Sequence, residues 1–117
     1  MFPKTVARRN RQLLDMAQDK PCLLIVPDVC CGDTATTVAA HSNWAEHGKG
    51  GARKADDQYT VWACATCHSW LDFSGASAEE KRAVWDKAHA AQVAVWTAMA
   101  AHGNKAARWA IDQLTDF

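Results

Sequence analysis

Cys64-Ala65-Thr66-Cys67-His68-Ser69-Trp70-Leu71-Asp72 is the stretch on which the fold turns. Two thiols separated by two residues reach one ion from a tight turn, and zinc takes four such ligands in a tetrahedron. The other half of a four-thiol set lies upstream at Cys22 and Cys30, with seven residues between them. This spacing is wider than in a zinc finger, so two strands, or a strand and a loop, must bring that pair together. Cys31 is adjacent and leaves open which of the two is the ligand. Cys30 is favoured because Cys31-Gly32-Asp33 reads as the turn beyond the site. A structural zinc on Cys22, Cys30, Cys64 and Cys67 is the expectation.

Cys64 to His68 also has the Cys-x-x-Cys-His form of covalent haem attachment. That reading leaves Cys22 and Cys30 without a purpose. It also requires export, whereas Met1 to Asp15 contains no apolar run of signal-peptide length. The apolar stretch Leu23 to Val26 is far too short to span a bilayer. A cytoplasmic location and no membrane partner are expected, and a reducing compartment favours metal binding over disulfides for the five cysteines.

Outward from the cysteine pair, Ala65 to Asp72 reads as a helix, preceded by a strand at Gln58 to Ala63 and another at Thr36 to His41. Cys22 to Val26 is apolar and β-branched enough for a third strand, stopped by Pro27. Thr5 to Gln18 reads as a helix, with Val6, Leu13, Leu14 and Ala17 near one face, ended by Asp19-Lys20-Pro21. Downstream, Ser77-Ala78-Glu79-Glu80 has capping-box spacing. It opens an alanine-rich helix that runs to about His102 and stops at Gly103. Two stripes share this helix: Val84, Ala88, Ala91, Val95 and Met99, taken as the core face, and Trp85, His89, Gln92 and Trp96. A last helix covers Lys105 to Leu114. The 117 residues make one domain, without repeats or a low-complexity linker.

The formal net charge is zero, so only its distribution informs. Lys4, Arg8, Arg9 and Arg11 cluster near the start, and Lys49, Arg53 and Lys54 cluster in the glycine-rich segment Gly48 to Lys54. Both patches suit phosphate contacts, and the second adds backbone amides. Two histidines flank that loop. His41 ends a strand, His68 follows the second cysteine pair, and a zinc joining those segments brings them together. One histidine can take a proton from water, and the other can hold a divalent ion that steadies charge on a phosphate. Asp72, four residues after His68 on the same helical face, either orients that ring or shares the ion.

His41, a loop, and then Cys64-Ala65-Thr66-Cys67-His68 resemble the core of HNH (ββα-metal) endonucleases. Cys22-x7-Cys30, Ala40-His41, Lys54 to Asp57, and Cys-x-x-Cys-His followed by Leu71-Asp72 are closer still to small phage and prophage nucleases of the YbcO type. The resemblance covers roughly Cys22 to Asp72. It implies an α+β fold: a zinc-stapled ββα-metal core over 22–73, a basic N-terminal segment over 1–21, and added helices over 77–117. It further implies metal-dependent hydrolysis of phosphodiester bonds in nucleic acid, with DNA as the favoured substrate. His41 matches the general base, and His68 matches a ligand of the catalytic ion, magnesium or manganese first, zinc or nickel second. Ala40 departs from the pattern, since many relatives carry aspartate there as a second metal ligand. The middle asparagine also has no clear counterpart. Asp57, less readily Asp56, replaces one of these, so the ion's expected ligands are His68, Asp57 and Asp72. Lys49, Arg53, Lys54, Arg8, Arg9 and Arg11 would grip the backbone.

Two other functions fit the residues. One is a non-catalytic zinc module that binds nucleic acid or protein, favoured by Ala40. The other is an interaction protein that docks, or forms a homodimer, through C-terminal helices bearing Trp85 and Trp96.

Overall fold

A computed structural model describes residues 6–50 and 53–115; Lys4, Thr5 and Gly51, which figure in the expectations above, lie outside the described residues. In chain order the elements are α1 (Arg11–Asp15), β1 (Val38–His41), β2 (Thr60–Ala63), α2 (Ala65–Phe73), α3 (Ala78–Ala101) and α4 (Lys105–Thr115), with short 3-10 turns at Thr34–Thr36 and Ala45–His47. The α+β class holds, and no described helix is long and apolar enough to cross a membrane.

The two strands pair antiparallel, with Val38 opposite Ala63 and His41 opposite Thr60. All four residues of β2 are buried, as suits its Thr-Val-Trp-Ala composition. α2 follows β2 at once, with Cys64 as its N-cap residue in extended conformation. His41 therefore leaves one end of the hairpin while His68 rides the helix that β2 feeds.

Cys22 to Val26 is not a strand. Leu23 and Leu24 both donate their amides to the Trp62 carbonyl, at 2.7 and 3.3 Å, and then the chain curls. Ile25 takes φ 42°, a conformation β-branched residues rarely adopt. The turn aims the Ile25 amide at Cys22 Sγ (3.5 Å) and the Val26 amide at Cys67 Sγ (3.3 Å). Satisfying thiol sulfurs overrides the β propensity of Leu-Leu-Ile-Val.

α1 is shorter than the expected helix. Asn10 is its N-cap, and its side chain accepts from the Leu13 amide at 3.0 Å. Residues 8–10 lie against the segment before β2: the Asp57 amide donates to the Arg8 carbonyl at 3.0 Å.

Ser77 caps α3 as expected, its hydroxyl accepting from the Glu80 amide at 3.0 Å. Gly103, at φ 91°, ends α3 in the left-handed region. The stripe that α3 buries is Trp85, Ala88, Gln92, Trp96 and Ala100, not the one begun by Val84; Ala91 is exposed. Indole volume decides this. Each buried indole removes roughly 150–250 Å² from water, on the order of 4–6 kcal/mol before entropy is counted. Trp85 and Trp96 are 0% and 1% exposed, so they are core residues and cannot form a docking face. They anchor different clusters. Trp85 packs with Leu24, Val26, Val61 and Leu71 around the hairpin and α2, whereas Trp96 packs with Leu13 of α1 and Ala106, Ala107 and Ala110 of α4. Gln92, wholly buried between them, accepts a hydrogen bond from the Trp62 amide at 2.9 Å and ties α3 to the outer side of β2.

Candidate functional site

The sulfur atoms of Cys22, Cys30, Cys64 and Cys67 all lie within 4.8 Å of one another. A tetrahedral ion with metal–sulfur bonds of about 2.3 Å sets its sulfurs about 3.8 Å apart, and Cys30 Sγ to Cys64 Sγ measures 3.8 Å. The cluster fits a metal ion such as zinc. Polar hydrogens converge on it as they do on thiolates. Burial raises the Cys64 thiol, but the Thr66 hydroxyl and the amides of Cys67, Cys31 and Gly32 outweigh it and hold it down to about 5. Burial pushes the Cys67 and Cys30 thiols up. Cys31 is exposed and its thiol is outside the cluster; its amide also donates to Thr66 Oγ1 at 3.0 Å. Of the two adjacent cysteines, the sulfur grouped with the other three is that of Cys30. The four thiols link the 22–30 loop to the start of α2 beside the hairpin.

Next to this staple is a cleft of about 630 Å³. His41, His68 and Asp72 line it together, with Asn43, Lys49, Lys54 and Arg11 around them. Both expected site histidines, one of the expected carboxylates and three of the expected cations thus share one concavity.

Each histidine is held by an aspartate. His68 Nε2 lies 3.1 Å from Asp72 Oδ2 across one turn of α2, and Asp72 Oδ1 accepts from Asn43 Nδ2 at 2.9 Å. His41 Nε2 lies 2.8 Å from Asp57 Oδ1. Asp57 is 1% exposed and does not line the cleft beside His68 and Asp72; it sits behind His41. Burial raises its carboxyl, but hydrogen bonds from His41 and the Asn10 amide, with the charges of His41 and Arg9, hold it below the usual carboxylate range.

The remaining basic residues divide by location. Arg9 Nη1 donates to the Ala55 carbonyl at 2.6 Å and Nη2 to the Lys54 carbonyl at 3.1 Å, and Nη1 also pairs with Asp57 at 3.3 Å. Arg8 Nη1 donates to Gln113 Oε1 of α4 at 2.7 Å. Arg53 pairs with Asp56 at 3.4 Å, and Asp56 also accepts from the Arg8 amide at 3.2 Å. Asp56 thus braces the loop. A Cβ at Gly48, whose φ is 99°, would meet its Oδ1 at 3.0 Å, so the close approach requires glycine there. Arg8, Arg9 and Arg53 hold the loop and N-terminal segment in place, whereas Lys49, Lys54 and Arg11 border the cleft. Arg11 also reaches Asp15 at 3.1 Å on an exposed face.

Asn43 and Asn10 have roles that sequence reasoning missed. Asn43 stands two residues after His41 in a segment without periodicity, and Asn10 contributes a backbone amide, which no residue type advertises.

Comparison with known proteins gives a family and a fold. A family model described as "Putative nuclease YbcO" matches residues 11–104. Among solved structures, "Structure of a putative bacteriophage protein from Escherichia coli str. K-12 substr. MG1655" resembles the chain with a TM-score of 0.57 at 23% identity, covering 74% of this chain and 96% of that one. No curated protein matches.

Proposed function

The chain belongs to the YbcO family of putative nucleases, and from that premise we propose that it is a metal-dependent, HNH-like endonuclease of phage or prophage type, acting on DNA. The observation that carries the proposal is the shared cleft: His41, His68 and Asp72 line it with cations at its border. A base, a neutral metal ligand and phosphate-binding charge are the components that phosphodiester hydrolysis needs.

In this reading His41 takes a proton from water as its oxygen bonds to phosphorus and the ester bond to the leaving oxygen breaks. His68 would hold a divalent ion, magnesium or manganese, through the ring nitrogen left open, since Asp72 holds Nε2 at 3.1 Å; such carboxylates orient metal-binding histidines. When bound, the ion supplies charge stabilisation for the phosphate and the departing oxygen. Lys49, Lys54 and Arg11 contact the backbone without reading bases. Zinc on the four cysteines would take no part in the chemistry; it would tie the 22–30 loop to the start of α2 beside the hairpin.

The test is plasmid nicking with magnesium or manganese, comparing the wild-type protein with His41→Ala. Wild-type cleavage reduced about 10²- to 10⁴-fold in the variant supports the base assignment. Equal, background cleavage by both proteins across metals overturns it. Ala40, 0% exposed and without a ligand atom, favours a second reading, a zinc-braced module that binds nucleic acid without cutting. That alternative predicts salt-sensitive binding that survives His41→Ala and needs no added magnesium.

A further inference from the structure

Asp57 is surrounded by donors. Its Oδ1 faces His41 Nε2 at 2.8 Å and Arg9 Nη1 at 3.3 Å, and its Oδ2 accepts from the Asn10 amide at 2.7 Å. An ionised carboxylate has no proton to give, so the short contact to His41 requires the hydrogen on Nε2. Neutral imidazole carries one N–H. In its neutral form His41 so held has its lone pair on Nδ1, in a ring that lines the cleft.

We propose that Asp57 is a positioning residue that locks His41 in the Nε2–H tautomer and so makes Nδ1 the proton-accepting atom, with Arg9 and Asn10 as the clamp that holds Asp57. The catalytic part of this proposal rests on the nuclease reading of His41; the tautomer lock does not. Residues far from the cleft in sequence thereby become part of the site. The N-terminal segment crosses behind the base, with the Asp57 amide bonded to the Arg8 carbonyl at 3.0 Å and the Arg9 guanidinium seated on the Ala55 carbonyl at 2.6 Å.

Three donors converging on two oxygens make the site intolerant of an amide. In Asp57→Asn one oxygen becomes an NH2 group, which must face a donor. The Asn10 backbone amide can neither turn away nor change its proton. Arg9, whose side chain is 41% exposed, can turn away, and His41 can move its proton to Nδ1. The amide therefore keeps its oxygen on Asn10 and turns its NH2 to His41, which becomes an Nδ1–H tautomer with no lone pair left for water.

The experiment is nitrogen-15 NMR of the histidine rings in the zinc-loaded protein, read beside steady-state nicking kinetics. The wild-type His41 signals should report an Nε2–H tautomer and those of Asp57→Asn an Nδ1–H tautomer. kcat should fall about 10²- to 10⁴-fold, the usual range for a general base, with KM within about threefold and the zinc content unchanged. A wild-type Nδ1–H tautomer overturns the proposal without any variant, and so does an Asp57→Asn protein that keeps both Nε2–H and full kcat. Arg9→Ala gives a second handle that leaves the carboxylate in place: it should lower kcat by less than Asp57→Asn and leave the tautomer as in wild type, whereas inversion there would overturn the ordering. Tautomer inversion in Asp57→Asn with no cleavage by either protein leaves the lock standing, and the nuclease reading is then what fails.

Discussion

Asn43 donates through Nδ2 to Asp72 Oδ1 over 2.9 Å, so the residue two places after His41 holds the carboxylate that holds His68. The loop leaving β1 and the last turn of α2 are coupled through this bond on the face where they line the cleft. Asp72 has two oxygens and two partners, one on each side, which limits its freedom to rotate towards an ion.

Asn43→Ala should therefore loosen Asp72, and with it the His68 ring, without touching the core. Loss of a group that supports a metal-binding histidine typically costs about 10- to 100-fold in metal affinity or activity. The expected result is a rise in the magnesium or manganese concentration needed for half-maximal cleavage, with the melting temperature within about 2 °C of wild type, since an exposed polar substitution rarely changes stability by more than about 0.5 kcal/mol. An unchanged metal titration would show that Asp72 needs no such support.

The two neighbouring cysteines separate the staple from its surroundings. Cys64→Ser removes a sulfur that lies 3.8 Å from Cys30 Sγ; Cys31→Ser changes an exposed thiol outside the cluster. Metal analysis should find about one zinc per chain in wild type and in Cys31→Ser, and much less in Cys64→Ser, given the four-ligand tetrahedral preference. Because the four thiols come from two distant segments, metal binding is part of folding free energy. A strong chelator should accordingly lower the melting temperature of wild type and Cys31→Ser alike. Retention of zinc by Cys64→Ser at wild-type affinity would contradict the assignment.

Acid should weaken the aromatic centre before it reaches the carboxylates. Burial, joined by the Arg82 charge, pushes the His47 imidazole below 6.5, and burial does the same to His89. His47 is stacked on Tyr59 at 4.1 Å between ring centres and bonded to Ser42, with Trp44, Trp85, Arg82, Glu46, Asp86 and His89 facing it. His89 Nε2 donates to the Gln58 carbonyl at 2.9 Å, among Trp85, Trp96, Tyr59 and Asp86. Both are more readily protonated when unfolded. Below about 6.5, the ordinary histidine value, the unfolded chain binds more protons and stability falls with pH. Asp57 works in the same sense at lower pH, since its depressed carboxyl stabilises the fold above the ordinary aspartate range of about 3.9 and loses that contribution as pH drops through its folded value. Urea midpoints should thus decline from about pH 6.5 towards 5, and His89→Gln, which keeps a donor for the Gln58 carbonyl, should flatten that decline. A pH-independent midpoint in wild type across this range would refute the account.

What was legible in the sequence depended on how local the determining contact is. Ser77 and Glu80 are three apart, and the cap they form is read directly. Cys64 caps the short helix that carries Cys67, His68 and Asp72, so their proximity followed from spacing alone. Failures arose where a distant partner decided the outcome. Cys22 to Val26 has strand composition, yet it curls because sulfurs of Cys22 and Cys67 take its amides. Arg8 and Arg9 look like phosphate-binding charge, yet Asp56, Asp57 and Gln113, 48 or more residues away, determine where they sit. In α3 two stripes lie side by side at helical spacing, and the wholly aliphatic one reads as core although the stripe with His89 and Gln92 carries the indoles, which have the larger area to bury.

That division of the arginines from the lysines yields the final prediction. Lys54 is exposed at the cleft edge and Arg11 has a side chain 86% exposed beside it, so both can exchange counterions for a phosphate. Binding of a short DNA duplex by catalytically silent His41→Ala protein should weaken with salt. Lys54→Ala or Arg11→Ala should each lower the slope of log affinity against log salt by about 1 for every phosphate that is no longer neutralised. Arg9 is occupied by the Lys54 and Ala55 carbonyls and Asp57. Arg9→Ala should leave that slope nearly unchanged and lower the melting temperature instead, because three acceptors are deprived of their donor. The opposite pattern, a slope that drops by about 1 with Arg9→Ala and stays put with Lys54→Ala and Arg11→Ala, would move the phosphate track away from the cleft and across the N-terminal segment.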